Sequence, residues 1–420
     1  MTMRRVAVTG LGVVSPYGGD VDDFFARMLA GESAVRLFSG QDFPKPVNTP
    51  AVFCAGFDAE AALTKPLALM MERFSQLGLA AAFQAWADAG FPRKPDNAEE
   101  RNDWGCIWGT ALGGISAFER GSRDLWANGR DRVSPMSVVL GMNNACNAHI
   151  SIQLGLGGIS MSHTVACASS AIAIGEAFHR IRSGECTVVL TGGSDMPLAY
   201  GVMRAWEAMR VLAPGDEATA FAACRPFSSD RRGFVLGEGG AALVLEDWEH
   251  AVRRGARIHG EVVGYGASCD RNHLVKPDAQ GQVRAMQSAL ADANLNAEHI
   301  GYVNAHGTAT HEGDPVEVHA LKTVFGAAAS GLPVSATKSM HGHLMGAAGA
   351  IEALVTVLAL REQCIPPTAH LPGRIDPLCE GVQHVTQGLR GVEMQAALSN
   401  SFAFGGSNAV LAFRAPNNLH

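Results

Sequence analysis

The sequence predicts a mixed α/β protein in which two similar halves stack sheets and helices in layers. Three observations predict it. Runs of strand length rich in apolar residues alternate with helix-length stretches along the whole chain, the pattern of layered α/β folds. Glycine supplies 48 of 420 residues while aromatics make up only 7%, which favours a core of small side chains with close backbone approach. Each half also closes its run of strands with a helix of very small residues, Ala168-Ser-Ser-Ala-Ile-Ala-Ile-Gly175 in one and Gly346-Ala-Ala-Gly-Ala350 in the other. Such helices pack at short axial distance, so the pair is expected back to back at the centre.

Taken in order, Arg5–Gly10 reads as a strand followed by a turn and Val21–Leu29 as a helix. Leu67–Gly90 reads as one long apolar-periodic helix, and Cys106–Gly109 as a strand entering the Gly-rich turn 109–114. Ala168–Ser183 is a helix and Thr187–Gly192 a buried strand. The second half repeats the plan: strand Gly260–Tyr265, helix Gly281–Ala293, strand Tyr302–Ala305 and helix Pro315–Val324. Strand Pro333–Ala336, helix Met345–Arg361 and strand Ala409–Ala415 complete it. The expected division is 1–255 and 256–420, with Trp248–Arg257 joining halves that fold as one body.

Composition narrows the function. Hydrophobic residues are 47% and charged ones 17%, so much of the chain must be buried. A net charge of −7 argues against a general nucleic-acid binder, whose affinity rests on neutralising phosphates. The nine cysteines are scattered, odd in number and never at Cys-x-x-Cys spacing, which speaks against a disulfide framework or zinc site and for a reducing, cytoplasmic setting. The run Val6–Val14 follows two arginines but is interrupted by Gly10 and Gly12; a first strand explains it better than a leader segment. No run approaches the ~18 apolar residues of a membrane span.

Four segments carry chemistry. Cys167 stands where a β-type run meets a helix; the positive helix end and free N–H groups there favour a thiolate and can hold an oxyanion. Alone, this is equally a buried structural cysteine. Asn304-Ala-His-Gly-Thr-Ala-Thr310 puts His306 at the end of a buried strand beside hydroxyl donors. Thr337-Lys-Ser-Met-His-Gly-His-Leu-Met-Gly346 offers Lys338, His341 and His343. The two histidines, two apart, suggest a metal pair, but no carboxylate or cysteine accompanies them at ligand spacing, and no metal is expected. Ser399-Asn-Ser-Phe-Ala-Phe-Gly-Gly-Ser-Asn408 makes a glycine turn that can bring backbone N–H groups and a ring to a reacting centre.

Together and in this order the segments resemble the thiolase-like condensing enzymes, specifically the β-ketoacyl-(acyl-carrier-protein) synthases of type I/II and synthase II in particular. The resemblance spans nearly the whole chain. It includes Arg5-Val-Ala-Val-Thr-Gly-Leu-Gly12, Arg225-Pro-Phe-Ser-Ser-Asp230, Arg232-Gly-Phe-Val-Leu-Gly-Glu-Gly-Gly240, His306-Gly-Thr, Lys338-Ser-Met, Gly342-His343 and Phe404-Gly-Gly406. It implies a five-layered αβαβα fold with pseudo-duplicated halves, a homodimer, and no organic cofactor, the substrates riding on the phosphopantetheine of acyl carrier protein. It implies further that Cys167 takes the acyl group and that His306 and His343 promote decarboxylation of malonyl-ACP. The N–H groups of Cys167 and Phe404 would hold the oxyanion. By the same resemblance Lys338 gives electrostatic support paired with Glu317, Glu352 organises the region or holds an ion, and Phe404 gates the pocket. Leu112 and Ser137 match acyl-channel positions, Val275 matches a position near the phosphopantetheine, and Thr308 and Thr310 are further substrate-binding positions. The implied reaction is a decarboxylative Claisen condensation in fatty-acid elongation, with a dedicated polyketide or polyene synthase as the alternative.

Several positions depart from that pattern. Ala403 replaces a glycine before the gating phenylalanine, which should alter its swing because alanine resists positive φ. Thr310-His311 replaces Thr-Pro, Val275 replaces a hydroxyl, and Ser137 replaces a bulky aromatic, which implies room for a longer chain. Leu69-Met70-Met71 is apolar where relatives show basic residues to the carrier, leaving Arg130, Arg132 and Arg210 as the contacts. A silent chain-length-factor partner would lack the nucleophile. A degradative thiolase would lack the two-histidine pattern and carry a second cysteine near the C-terminus, which the loop Phe404–Ser407 does not.

Overall fold

A computed structural model describes residues 3–41, 43–371 and 373–416. Eleven strands form one ladder: β1 (Val6–Val14), β2 (Gly105–Gly109), β3 (Ser160–His163), β4 (Val188–Asp195), β5 (Gly239–Asp247), β6 (Gly260–Cys269), β7 (Ile300–Asn304), β8 (Pro333–Ser335), β9 (Gln383–His384), β10 (Ala396–Phe402) and β11 (Ser407–Arg414). Their spatial order is β9-β8-β7-β10-β11-β6-β1-β5-β4-β2-β3. The ladder divides at β1 and β6, which meet antiparallel through three residue pairs only, Val6 to Val262, Ala7 to Glu261 and Val8 to Gly260. On either side the same plan recurs. The order β1-β5-β4-β2-β3 in one set matches β6-β11-β10-β7-β8 in the other. In each, the last three strands run parallel and the first two antiparallel. The duplication expected from the small-residue helices is therefore present in strand order and direction.

Five helices make the layers: α1 (Arg73–Asp88), α2 (Ser169–Arg182), α3 (Ala279–Asp292), α4 (Gly313–Phe325) and α5 (Ala348–Glu362). α1 covers one sheet from outside, α3 with α4 covers the other, and α2 and α5 lie between the sheets against each other. That is the αβαβα stack. Its closeness depends on glycine. A Cβ on Gly10 or Gly12 of β1 would sit 2.1 Å from the Ala85 or Ala81 carbonyl of α1, and one on Gly264 or Gly266 of β6 would sit 2.5 or 2.1 Å from the Ala289 or Ala285 carbonyl of α3. The paired glycines are thus the same device in both halves. They also explain why β1 runs on to Val14 instead of turning at Gly10: they are sites of helix approach, not of chain reversal.

The long helix expected over Leu67–Gly90 is broken. A short helix, Lys65–Ala68, ends before α1 begins, and Glu72 between them is extended (φ −74°, ψ 161°). Its carboxylate pairs with Arg120, while Gln76 Nε2 donates to the carbonyls of Ala68 (2.9 Å) and Met71 (3.1 Å). These side-chain bonds replace the helical ones, and Leu69 and Met70 are left exposed. Among the described residues no helix is long and apolar enough to cross a membrane.

At the centre, a Cβ on Gly349 of α5 would lie 2.8 Å from the Ala171 nitrogen and 2.9 Å from its Cβ on α2. Gly349→Ala should therefore lower stability by about 1–3 kcal/mol through overpacking, although alanine is the better helix former. Urea denaturation midpoints test this, and an unchanged or raised midpoint would contradict back-to-back packing.

Candidate active site

The sequence-predicted residues gather at the carboxyl ends of the parallel strands, where open α/β sheets bind ligands. Cys167 lies in the loop from β3 to α2, His306 two residues past β7, Lys338 and His343 between β8 and α5, and Phe404 just past β10. The duplication makes Cys167 and His343 counterparts, since each sits before the central helix of its half. Back-to-back packing brings them together: His343 Nε2 is 3.0 Å from Cys167 Sγ.

Cys167 is held by a tight turn. Ala166 takes a positive φ of 46°, and Ser169 Oγ donates to the Ala166 carbonyl (2.6 Å) and accepts from the Val165 N–H (2.8 Å). The Phe404 N–H points at the sulfur. Burial nevertheless pushes the thiol up to about 12, outweighing the Lys338 ammonium and that N–H. Burial thus works against the thiolate expected at the helix start, and His343 is the group placed to take the proton.

Both imidazoles are buried, with ring centres 5.6 Å apart and planes at 87°. Burial, with Lys338 and His343 alongside, holds His306 well below the ordinary imidazole range; burial, Lys338 and His341 do the same to His343. Each is a neutral ring. Lys338 and Glu352, both fully buried, form an ion pair, and Lys338 Nζ also donates to the His306 carbonyl (2.7 Å) and approaches its Nδ1 (3.3 Å). The expected partner, Glu317, is engaged elsewhere. Its two oxygens accept from the N–H groups of His306 and Gly307 (both 2.8 Å), and one accepts from Asn400 Nδ2 (3.2 Å). Glu317 therefore fixes the backbone of the His306 turn, and Glu352 is the counter-ion. Burial raises Glu352 to about 7 against the pull of Lys338.

His341 turns away to Thr337 Oγ1 (3.0 Å) and makes no pair with His343. The ligand atoms that do converge are those of Cys167, His306 and His343, all within 4.8 Å of one another.

These groups floor a cavity of about 360 Å³. Thr308, Thr310, Val275, Arg210 and Phe404 line it, with the two threonine hydroxyls 3.1 Å apart. Leu112 and Ser137 do not reach its walls. Arg130 and Arg132 are exposed on the loop after the helix Ile115–Trp126, with Arg130 beside Asp124; of the three arginines only Arg210 stands at the cavity. Ala403 lies outside the left-handed region, and the positive φ values fall on Gly405 (88°) and Gly406 (75°). The alanine therefore imposes no strain in this conformation.

Sequence reasoning passed over Asp195. Fully buried at the end of β4, it accepts from Thr110 Oγ1 (3.1 Å) and from the N–H groups of Ala111 (2.7 Å), Leu112 (3.3 Å) and Gly346 (2.8 Å). It ties the Gly-rich turn of one half to the segment just after His343 in the other. The signal was available: an acid ending the otherwise uncharged, fully buried strand Val188–Asp195.

A thiol suited to thioester exchange, sharing its pocket with two neutral imidazole donors and a backbone N–H, defines an acyl-condensing enzyme on a thiolase-type fold. Residues 3–251 match the family "Beta-ketoacyl synthase, N-terminal domain" and residues 259–372 match "Beta-ketoacyl synthase, C-terminal domain". The chain belongs to the β-ketoacyl synthase family. It is 42% identical to nodulation protein E of Rhizobium sp. (strain N33), over 98% of this chain and 99% of that protein. It is 39% identical to 3-oxoacyl-[acyl-carrier-protein] synthase 2 of Vibrio cholerae, over 99% and 100%. Among solved structures, a β-ketoacyl synthase from Burkholderia phymatum superposes with a TM-score of 0.90 at 35% identity, covering 98% of this chain and 100% of that one.

Removing the Lys338 charge leaves Glu352 buried without its partner. Lys338→Met should cost about 3–5 kcal/mol, and adding Glu352→Leu should recover much of the loss. Urea midpoints of the two single variants and the double variant test this. Simple addition of the two single losses would show that the residues are not coupled.

Proposed function

We propose that this chain extends an acyl thioester by two carbons through a decarboxylative Claisen condensation with malonyl-ACP, in fatty-acid elongation. The observation that carries the reading is the contact between Cys167 and His343, with His306 alongside, at the floor of one cavity. In the first step Cys167 Sγ attacks the thioester carbonyl of acyl-ACP and its proton passes to His343 Nε2. The carrier thiolate leaves, taking that proton from His343, and an acyl–Cys167 thioester remains. In the second, with the His343 proton moved from Nδ1 to Nε2 by exchange, N–H donors of His306 and His343 hold the malonyl thioester oxygen while CO₂ departs and negative charge moves onto that oxygen. The enolate carbon then attacks the acyl–Cys167 carbonyl. The N–H groups of Cys167 and Phe404 hold the oxyanion, and its collapse releases β-ketoacyl-ACP and the cysteine. No organic cofactor enters this sequence, and Arg210 at the cavity is the carrier contact best supported by position.

The active species is proposed to be a homodimer joined along the β3 edge. Support comes from large apolar side chains left exposed on helices near that edge, Trp126 at 83%, Val138 at 62% and Ile152 at 65%. A cytoplasmic setting fits nine free thiols, eight of them buried. The likeness to nodulation protein E supports the second reading, a dedicated synthase of a specialised pathway. A panel of acyl-ACPs of varied length and unsaturation, with products read by mass, separates the two.

Mass spectrometry after incubation with acyl-ACP should find the acyl group on Cys167, and Cys167→Ala should abolish condensation; an adduct elsewhere, or none, would sink the mechanism. Because His343 and not His306 touches the sulfur, His306→Ala should slow decarboxylation far more than acyl transfer, while His343→Ala slows both. Equal loss of both steps in His306→Ala would remove the role assigned to it.

The depressed imidazoles also fix a pH dependence. A group neutral above its lowered pKa loses no neutral form until the pH falls through that value. Malonyl-ACP decarboxylation by Cys167→Gln should therefore be flat from pH 8 to pH 6 once Glu352→Gln has also removed the carboxyl that burial raises to about 7. A limb near 6.5, the ordinary imidazole value, would show a ring titrating as if exposed.

A further inference from the structure

We propose that Cys167, His306 and His343 together form a binding site for a thiophilic divalent cation of the zinc type, which blocks the nucleophile reversibly. The donor set is one sulfur and two imidazoles, all buried, with ligand atoms within 4.8 Å of one another and one S···N distance already at 3.0 Å. Zinc takes sulfur at about 2.3 Å and imidazole nitrogen at about 2.0–2.1 Å, which sets neighbouring donors of a tetrahedron roughly 3.5 Å apart. Bringing separations of up to 4.8 Å to that spacing takes side-chain shifts on the order of 1 Å, and the fourth position faces the cavity, where water can fill it.

The surroundings accommodate the ion. Lys338 faces His306 Nδ1 only at 3.3 Å, so a metal on the other ring nitrogen costs the ammonium its longest contact. Its bonds to Glu352 and to the His306 carbonyl remain. The two buried carboxylates, Glu352 and Glu317, set negative charge close behind the ligands. On binding, the sulfur–hydrogen bond gives way to a sulfur–metal bond and the proton goes to solvent. Among the described residues His343 Nδ1 has no hydrogen-bond partner. A ligating histidine usually hydrogen-bonds through its other nitrogen, so this site holds its ion less tightly than a resident structural zinc does. That suits an inhibitor that comes and goes. Binding of the ion does not depend on the condensation reading, because it concerns three side chains and not their substrate; its blocking effect rests on that reading.

Titration of the full, reduced chain with Co²⁺ tests it. One equivalent should give a thiolate-to-cobalt charge-transfer band in the near ultraviolet together with intense visible bands of a four-coordinate ion. Cys167→Ser should lose the charge-transfer band, and His306→Ala and His343→Ala should each weaken binding by about tenfold or more. In the unmodified chain, where folding of variants is no concern, Zn²⁺ should shield Cys167 from iodoacetamide by peptide mass, and EDTA should restore labelling. No band, a band surviving Cys167→Ser through another sulfur such as the exposed Cys269, undiminished binding in both histidine variants, or labelling unaffected by Zn²⁺ would each overturn the site. A chain that binds cobalt this way but fails to condense acyl groups would overturn the proposed reaction and leave the metal site intact.

Discussion

The rest of the molecule depends on the contact between α2 and α5. Alanine, serine and glycine let the two helices touch backbone to backbone: Gly349 lies against Ala171, and the Ala350 N–H donates to Ser170 Oγ at 2.8 Å. Each helix begins at the carboxyl end of its own sheet, so this contact brings two equivalent loops face to face. One loop carries a thiol and the other an imidazole. A larger side chain at the seam would move apart two groups whose chemistry requires a separation near 3 Å, which makes the small residues a functional constraint as well as a packing one. Asp195 acts on the same seam from the side, accepting from N–H groups of both halves.

Burial then sets the charge states. In an exposed pocket a cysteine before a helix and two histidines would favour thiolate and part-protonated rings. Here desolvation reverses both preferences, raising the thiol and lowering the imidazoles. A neutral thiol beside a neutral base is the competent pair for acyl transfer, and two neutral N–H donors suit an oxygen that gains charge as CO₂ leaves. One full positive charge remains among them, Lys338, and Glu352 balances it within the same dry volume. The ammonium can then bias the histidines without leaving an unpaired charge in the core.

The layered fold and its duplication were legible because they leave periodic marks: alternating runs, paired glycines and two small-residue helices. The meeting of Cys167, His306 and His343 in one pocket was legible through motif order. What failed had physical reasons. A hydrophobic period does not show that Glu72 prefers Arg120 to a helical conformation, so the break before α1 was invisible. Lys338 has two acids within reach, Glu317 and Glu352, and the choice turns on backbone N–H groups that claim Glu317 first. The placement of Leu112, Ser137, Arg130 and Arg132 rested on matched positions alone. None of the four lines this cavity.

The turn after β10 shows how two duties share one residue. Phe404 offers its N–H to Cys167 while its ring lies 5.9 Å from Trp206. The turn around it is closed by bonds from Ala403 N to the Ser407 carbonyl (2.8 Å) and from Gly406 N to the Ala403 carbonyl (3.0 Å). It is tied outward by Gly405 N to the Leu274 carbonyl (2.7 Å) and by Asp270 N to the Gly406 carbonyl (2.8 Å). A Cβ on Gly405 would meet nothing within 4 Å, whereas one on Gly406 would press on Asp270 Cβ at 2.8 Å. Space is therefore open at Gly405, next to the ring, and filled one residue later. The bond from Gly405 ends on Leu274, which with Val275 lines the cavity. The Phe404 turn and the cavity wall are thus tied through one hydrogen bond, in which the alanine at 403 takes no part.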